Sequence, residues 1–439
     1  MHDLRRQALE SGKTVSKKAQ SRMSSRASSA ANSRTHSRSA SRHGSDDEEG
    51  NLSDSTNWSI NSIDDMLALE APEDTTEAWK EDLANRMEEI IDRKRSSVQG
   101  RETSLAQYSH ILMSHYAYDE IQSKISELFP ALLKSVKSGS SEKEICLALR
   151  AIAISIITNP SETVYDAIFQ TLKNTYTDSE FHSVKATAIH SLSAAAIYGG
   201  ASDDEIQDIM DEFLEIIESD GSSIEAADSA EVVTAACEAW GFLATSIDDI
   251  EERTEAAMDA FVEQLESSET SVQIAAGENI ALLYEKSYTP RETEDGPASP
   301  SEAEGDDGSE LDARFVKRYE VYRQKGQLEH KLSQLANESS RRIAKKDRKT
   351  LHINFTDILN TLEHPPRGPR YSTAREKESG REFGSRLVIR IHKTGSMKID
   401  KWWKLHRLQA LRRFLGGGFV VHYEANEVVF ESLPCVSLS

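Results

Sequence analysis

Apolar residues recur at helical spacing almost without interruption between Glu77 and residue 286. Positions three and four apart lie on one face of an α-helix, so this spacing predicts a succession of amphipathic helices. The predicted helices span residues 77–95, 101–116, 119–137, 141–158, 162–175, 180–198, 203–218, 228–246, 248–266 and 270–285. Ser141, Ser202 and Thr270 are predicted helix caps, because their side-chain oxygens can accept a hydrogen bond from the first turn.

The predicted helices fall into pairs. The leading helices begin near residues 101, 141, 180, 228 and 270, which is a period of about forty residues. Alanines cluster where helices would approach closely, as at Ala194–Ala196 and Ala275–Ala276. Stacked pairs of this period are typical of armadillo and HEAT repeats. The predicted fold is therefore mostly α: an armadillo/HEAT-like α-solenoid with a small C-terminal α+β module and a disordered N-terminal tail.

The C-terminal stretch, residues 381–431, has a different pattern. Its predicted elements are a strand over residues 387–391, a helix over residues 401–415 and a hairpin formed by residues 419–423 and 427–430. Asp400 is predicted to cap the helix, and Gly416 to end it. Ala425 and Asn426 are predicted to form the turn of the hairpin. Together these elements predict a small strand–helix–hairpin unit that leans on the preceding repeats.

The predicted helix over residues 401–415 surrounds its leucine stripe with basic side chains. These are Lys401, Lys404, Arg407, Arg412 and Arg413. Together with the adjacent Trp402 and Trp403, they suit a polyanion that offers bases for stacking, such as folded RNA. The alternative is a helix docked on its own protein, with long side chains that reach solvent and one of the two tryptophans packed inward.

Composition sets the predicted domain boundaries. The first 62 residues are rich in Ser and Arg and then in acids, and residues 287–310 combine acids with Gly, Ser and Pro. Neither segment has enough apolar surface to fold, so both are predicted to be disordered. The predicted organisation is a disordered tail over 1–62, armadillo-like helical repeats over 77–286, a disordered acidic loop over 287–310, a helical continuation ending in a basic cluster over 311–362, a Pro-rich linker over 363–380 and a small basic module over 381–431.

Arg–Ser pairs recur in the N-terminal tail, as at Ser33-Arg34 and Ser37-Arg38. Such pairs are typical of kinase substrates and of weak RNA-binding arms, and they predict a phosphoprotein. A plain solvated tail is the alternative. Residues 57–69 have helical spacing and are predicted to dock on the body of the protein.

Charge is unevenly distributed along the 439 residues, whose net charge is −22. About ten Lys and Arg face two acids in the first 45 residues, and residues 201–310 hold about thirty-two acids and three bases. Residues 311–415 hold about twenty-six bases and eleven acids. The distribution of charge governs binding more than its sum. The sequence therefore predicts an acidic middle and a basic C-terminal third.

The sequence contains no catalytic or metal-binding signature. Cys146, Cys237 and Cys435 are far apart and lack neighbouring ligands, so we predict neither a disulfide framework nor a zinc site. Gly416–Gly418 follows a helix instead of opening one, which excludes a phosphate-binding loop. We expect no cofactor, no small-molecule substrate and no enzymatic activity. The sequence also lacks a membrane-length apolar run and a signal peptide, so we expect a location in the cytoplasm, with the nucleus as a second compartment. Nothing in the sequence demands a homo-oligomer, so we expect a monomer.

Short motifs in the basic third resemble those of a known family. They are Lys345-Lys346-Asp347-Arg348-Lys349, Trp402 or Trp403, Arg407, Ala410-Leu411-Arg412, Phe414-Leu415-Gly416, Gly418 and Asn426-Glu427-Val428. Together with the preceding helical repeats and the acidic break, they resemble the interferon-related developmental regulator family. The resemblance covers about residues 80–431, and the Ser/Arg-rich tail and the Pro-rich insert lie outside it.

The resemblance implies a non-enzymatic regulator, for which the family suggests two roles. One is binding of ribosomal RNA and ribosomal proteins, with repression of translation because C-terminal elements occupy functional rRNA or tRNA sites. The alternative is a nuclear transcriptional co-regulator that holds partner proteins on an acidic concave surface of its helical repeats. No membrane partner is expected in either case.

The first role assigns RNA contact to the basic clusters. The predicted RNA-binding residues are Arg341, Arg342, Lys345, Lys346, Arg348, Lys349, Lys401, Trp402, Trp403, Lys404, Arg407, Arg412 and Arg413. Basic side chains neutralise phosphates, and one of the tryptophans stacks on a base or anchors the helix.

Overall fold

Two stacked rows of helices form most of the structure, a computed structural model that describes residues 77–93, 96–291, 314–338, 344–375, 382–391 and 395–434. The helices are α1 (Ala78–Ile91), α2 (Val98–Ser114), α3 (Tyr118–Ile121), α4 (Ile125–Ser138), α5 (Glu142–Thr158), α6 (Val164–Asp178), α7 (His182–Tyr198), α8 (Asp203–Glu218), α9 (Ala230–Ala244), α10 (Glu251–Gln264), α11 (Thr270–Lys286), α12 (Lys325–Ala336) and α13 (Lys345–Glu363). The predicted disordered tail, the predicted helix over 57–69 and residues 292–310 lie outside the described residues.

Each pair contributes one helix to each row. Helices α1, α4, α6, α8, α10 and α12 form an outer row, and α2, α5, α7, α9, α11 and α13 form an inner row. Each inner helix packs against the outer helix that precedes it and against its inner neighbours. The predicted period and the mostly-α solenoid are confirmed. The helices predicted to lead each pair are α2, α5, α7, α9 and α11, and each is instead the second helix of its pair.

The inner helices are buried nearly all round. In α7 every residue from Val184 to Ala196 is buried, and in α5 the same holds from Cys146 to Thr158. A surface helix keeps one solvated face, so a helix of this kind must be covered on both sides. One side packs on the outer row, and the other is covered by the C-terminal part of the same chain.

Three helices form this C-terminal cover. They are α14 (Trp402–Leu415), α15 (Phe419–Ala425) and α16 (Glu427–Ser432). Helix α14 crosses α11, α9 and α5, a short 3₁₀ turn at Gly416–Gly418 lies against the end of α2, and α15 follows along α2. The predicted basic module is therefore built into the solenoid rather than placed beside it.

The predicted C-terminal hairpin is wrong, since both of its strands are helices. In α15, Phe419 and Tyr423 lie one turn apart and are buried, so the β-branched run is held in a helix by packing. Asn426 is the cap of α16: its side chain accepts a hydrogen bond from Val428 N at 3.1 Å and donates one to the carbonyl of Ile157 at 2.9 Å. The predicted turn residue thus begins a helix and ties it to the end of α5.

Six short strands pair as three antiparallel hairpins in the described residues. They are β1 (Tyr288–Pro290) with β2 (Phe315–Lys317), β3 (Tyr371–Arg375) with β4 (Glu382–Ser385), and β5 (Val388–Arg390) with β6 (Ser396–Lys398). The predicted strand over 387–391 is confirmed in β5. β1 lies at the start of the predicted acidic loop, so the ordered chain extends further on that side than predicted, and the predicted helical continuation opens with a strand, β2.

The predicted Pro-rich linker is a packed segment where the structure describes it. Residues 365–369 are buried, and Arg367 is only 2% exposed. A side chain at Gly368 would meet the carbonyl oxygen of Asp400 at 2.1 Å. Lys401 Nζ donates to the carbonyl of Pro366 at 2.9 Å. The segment therefore fastens α13 to the start of α14, because its backbone supplies partners that a solvated linker would leave to water.

Candidate functional site

The start of the basic helix α14 is capped from another helix. Glu285 of α11 accepts hydrogen bonds from Trp402 N at 2.8 Å and Trp403 N at 3.1 Å. These two amides have no partner within the helix, and a carboxylate is also favoured by the positive end of the helix dipole. The predicted cap by Asp400 is wrong: its carboxylate pairs with Lys404 Nζ at 2.6 Å, one turn along.

The end of α14 is held by an ion pair between a buried arginine and a partly exposed carboxylate. Arg413 Nη2 lies 2.7 Å from a carboxylate oxygen of Glu238 in α9, and the same oxygen lies 3.3 Å from Nε2 of His190 in α7. Burial raises the pKa of Glu238, and the charge of Arg413 lowers it. Burial also keeps the pKa of His190 well below its usual range, with a further contribution from Arg413. Arg413 is thus the cation that balances Glu238 between three helices.

The middle of α14 meets a second carboxylate on the inner row. Gln409 Nε2 donates to the two oxygens of Glu278 in α11 at 3.3 and 3.1 Å, and His406 Nε2 contacts the carbonyl of Glu278 at 3.4 Å. A side chain at Gly241 would lie 2.5 Å from the His406 ring. The glycine therefore allows α14 to approach α9 closely.

The remaining polar residues of α14 also have partners within the protein. Arg407 donates to the hydroxyl of Thr245 at 2.9 Å, to its carbonyl at 3.0 Å and to the carbonyl of Ser432 at 3.2 Å. Lys401 Nζ also lies 4.5 Å from the ring centre of Phe315. Arg412 is half-buried beside Phe419. These contacts within the protein account for the basic side chains that surround the leucine stripe of α14.

The two tryptophans differ in environment, as the docked alternative predicts. Trp402 is 1% exposed, and its Nε1 donates to Thr361 Oγ1 at 2.8 Å. Trp403 is partly exposed, and the charged ends of Lys404 and Arg407 lie 5.6 and 5.1 Å from its ring centre. Trp402 is therefore the buried member of the pair, and it has no free face on which a base could stack.

The other predicted basic cluster lies at the first turn of α13. Lys345 and Lys349 are exposed, and Arg348 is half-buried. Arg341, Arg342 and the side chain of Lys346 lie outside the described residues. Helix α13 begins after Ala344, which provides no side-chain cap. The structure therefore separates the predicted RNA-binding residues into exposed cations at the start of α13 and internal ones along α14.

Sequence comparison identifies the family. The sequence model of the interferon-related developmental regulator (IFRD) family matches residues 45–363. The chain belongs to the IFRD family. The match ends at the last residue of α13, so it covers the helical repeats and includes Lys345–Lys349. The C-terminal motifs that also resemble the family lie outside it.

Curated relatives agree with this membership. The chain is 29% identical to an uncharacterized protein of Schizosaccharomyces pombe over 372 residues, which is 83% of this chain and 76% of the relative. It is 23% identical to interferon-related developmental regulator 1 of Mus musculus over 417 residues and to that of Homo sapiens over 416 residues. In both cases 89% of this chain and 81% of the relative are covered.

Three acids that sequence reasoning missed organise the docked helix. Glu238, Glu278 and Glu285 stand within otherwise small and apolar stretches of α9 and α11. An acid among buried positions needs a hydrogen-bonded partner of opposite charge or a raised pKa. Helix α14 provides a cation for Glu238, an amide side chain for Glu278 and two backbone N–H groups for Glu285. Buried acids in the repeats and a basic helix elsewhere in the chain were the signal that the sequence offered.

The described residues contain no group of three or more acids, His and Cys that could hold a metal ion. None of the helices described is both long and apolar enough to cross a membrane.

Glu278 provides a test of the docked interface by pH. Burial raises the pKa of its carboxyl from 4.5 to about 7, so folding favours the protonated form. That contribution to stability is complete below about pH 4.5 and is lost as the pH rises through 7. We expect Glu278→Gln to gain about 2 kcal/mol in free energy of unfolding over the parent between about pH 5 and pH 8, measured by urea denaturation.

The parent protein is the control in that comparison. Burial lowers the pKa of His406 to about 4. Because both proteins carry His406, its titration cancels in the difference. A difference in stability that is equal at the two pH values would contradict the buried, protonated state of Glu278.

Proposed function

We propose that the protein is a non-enzymatic regulator that binds ribosomes and represses translation by occupying functional rRNA or tRNA sites. Membership of the IFRD family supports a regulatory role, and the placement of exposed charge favours an RNA partner. The relatives from Mus musculus and Homo sapiens are named interferon-related developmental regulator 1. In this proposal the helical repeats orient the molecule, and exposed basic residues contact phosphates.

One observation carries the proposal: exposed lysines lie near the N-terminus of α13, where positive charge is unfavourable for a helix. Lys345 in the first turn of α13 and Lys349 one turn further on are exposed, beside one exposed acid, Asp347, and the helix has no side-chain cap. Positive charge at a helix N-terminus opposes the helix dipole and reduces stability. An anion reverses this balance, because the uncapped N–H groups and the lysines both attract it. A phosphate backbone is the anion that fits an exposed basic turn of this kind.

We propose this contact for only part of the predicted residues. Arg407, Arg413 and Trp402 are engaged inside the protein, so substituting any of them would disturb the fold before it affected RNA binding. We therefore propose Lys345, Arg348 and Lys349 as ribosome contacts, and we assign the α14 residues to docking the helix.

Co-sedimentation with purified ribosomes across a salt series tests the proposal. We expect the full chain to pellet with ribosomes and to be released steeply as salt rises, since bound phosphates release counterions. The variant Lys345→Glu/Lys349→Glu should require at least about tenfold more ribosomes for half-maximal pelleting, and it should repress cell-free translation correspondingly less.

The matched control is Lys134→Glu/Lys137→Glu, which reverses two exposed lysines on the outer helix α4. It should pellet and repress like the parent. If the full chain does not pellet at low salt, the ribosome proposal fails. If all three proteins pellet equally, the ribosome contact lies elsewhere on the molecule.

The nuclear scaffold remains the alternative, with a different surface from the one predicted. The face of the inner row that α14–α16 cover is occupied by the chain itself. Exposed acids are instead concentrated on the outer helices α8 and α10, for example Asp204, Asp208, Glu252 and Asp259. A partner of the repeats would meet this outer acidic face, and substitutions there, not at Lys345 and Lys349, would abolish its binding.

A further inference from the structure

The exposed face of the β5–β6 hairpin is basic and was not among the predicted contacts. In β5, Val388 and Arg390 are exposed while Ile389 is buried, and in β6, Lys398 is exposed while Met397 is buried. Val388 is paired with Lys398, and Arg390 with Ser396. Side chains alternate between the faces of a strand. Arg390 and Lys398 therefore project from the outer face as diagonal neighbours, separated by about 7–8 Å.

An exposed aromatic ring extends this face. Phe383 of β4 is 47% exposed, and the guanidinium of Arg386 lies 5.3 Å from its ring centre. Lys398 Nζ reaches the carbonyl of Phe383 at 3.5 Å, which brings the β4 and β6 residues together. Phe383, Arg386, Val388, Arg390 and Lys398 thus form one continuous surface, which we call the hairpin face.

The hairpin face rests on rigid supports. Ser385 is buried, and its hydroxyl contacts the carbonyls of Pro369 at 3.1 Å and Ile399 at 2.7 Å. Ile399 N donates to the carbonyl of Leu387 at 2.8 Å. These bonds join both hairpins to the packed Pro-rich segment and to the start of α14. The exposed residues therefore keep their spacing in the absence of a ligand, so binding costs little conformational entropy.

The local charge favours a polyanion strongly. Between Phe383 and Lys398 the sequence holds four Lys and Arg and no acid, in a chain of net charge −22. The flanking acids are Glu382 and Asp400, and Asp400 is paired with Lys404. An exposed ring beside arginines provides a surface on which an unpaired base can stack while its phosphates meet the cations. A paired duplex does not present the face of a base in this way.

We propose that the hairpin face binds single-stranded RNA, with one base on Phe383 and phosphates on Arg386, Arg390 and Lys398. The inference deepens the proposed ribosome binding and rests on it for its biological setting. It identifies a second basic contact surface, in addition to the first turn of α13, and it assigns the ligand as an unpaired segment of RNA.

Fluorescence anisotropy with a labelled 12-nucleotide single-stranded RNA tests this assignment directly. We expect Arg386→Gln/Arg390→Gln to bind at least about tenfold more weakly than the full chain at about 0.1 M salt. The slope of log affinity against log salt should fall by about 1.4, since each phosphate contact with a single strand contributes about 0.7. Phe383→Ala should weaken binding about tenfold with the slope unchanged, and Phe383→Trp should restore it.

The control Lys134→Gln/Lys137→Gln removes the same charge from α4 and should bind like the parent. A labelled duplex of the same length should bind without dependence on Phe383. The inference is overturned if the full chain does not bind the single strand, or if the hairpin variants bind as well as the parent.

Ribosome co-sedimentation of the same variants separates this inference from the proposed function. If Arg386→Gln/Arg390→Gln pellets as well as the parent, the hairpin face is not the ribosome contact while ribosome binding itself stands. If the parent fails to pellet but binds the oligonucleotide through Phe383, the hairpin face stands and the ribosome proposal falls.

Discussion

Replacing Arg413 with methionine is expected to lower the free energy of unfolding by about 3–5 kcal/mol. Arg413 is 5% exposed and ends 2.7 Å from Glu238. Methionine keeps much of the side-chain volume and removes the charge. Glu238, whose side chain is 21% exposed, then loses its cation beside the buried His190, and a largely buried charge without a partner is unfavourable. Urea denaturation followed by circular dichroism measures the loss.

The double variant Arg413→Met/Glu238→Gln is the matched control for this ion pair. Removing both charges together should recover most of the lost stability, because the cost arises from the isolated carboxylate rather than from the missing contact. Additive losses in the double variant would contradict the pairing. In Arg413→Met alone, the pKa of His190 should rise, since Arg413 helps to lower it. NMR titration of the His190 ring checks that shift.

Gly418→Ala is expected to cost at least about 3 kcal/mol, the upper part of the usual range for overpacking. A side chain at Gly418 would place its first carbon 1.6 Å from the carbonyl oxygen of Met113, in the last turn of α2. The clash is with a backbone atom, so no rotation of a side chain can relieve it. One turn further on, His422 Nε2 donates to the carbonyl of Leu112 at 2.7 Å, and the substitution should break this bond as well.

Gly417→Ala provides the control for this close approach. A side chain at Gly417 would meet nothing within 4 Å, so its effect should stay within about 0.5 kcal/mol. Both variants have the same change in chain entropy, and only the contact with α2 differs. Equal stabilities of the two variants would show that the Gly416–Gly418 turn is not seated on α2.

The repeats were predictable because their signal is local. Apolar spacing within each helix and a period of about forty residues are both visible in the sequence, and the inner helices begin within a few residues of the predicted starts. The inner helices α5 and α7 also showed the limit of that signal. Their apolar residues extend round the whole helix, which indicates a cover on the second face, but the pattern does not identify what covers it.

The C-terminal elements were not predictable from local pattern because tertiary contacts decide them. The run Phe419–Tyr423 has strand propensity, and it is helical because Phe419 and Tyr423 are buried on one side. Asp400 has the chemistry of a cap, but Glu285 takes that place from a helix more than one hundred residues earlier. Contacts over this sequence separation leave no periodic trace in the chain.

The predicted RNA-binding residues fall into an exposed group and an internal group, and whether any of them binds RNA stays a prediction. The basic composition of residues 311–415 is real, but it serves two purposes that composition alone does not separate. Arg407 and Arg413 balance or bond groups of the inner row, whereas Lys345, Lys349, Arg386, Arg390 and Lys398 are exposed. The latter group supports the proposed RNA contacts, and its role stays a prediction until binding is measured.

Amide hydrogen exchange of α14 in the free, full-length protein most directly tests this division of the basic residues. Docking predicts that the amides of Trp402 and Trp403, bound to Glu285, and those through the rest of the helix to Leu415 exchange as slowly as the amides of α9 and α11. If residues 402–415 instead exchange at the rate of an exposed, isolated helix, α14 is not docked. Its basic face would then be available to RNA, which would contradict the assignment of its charges to docking.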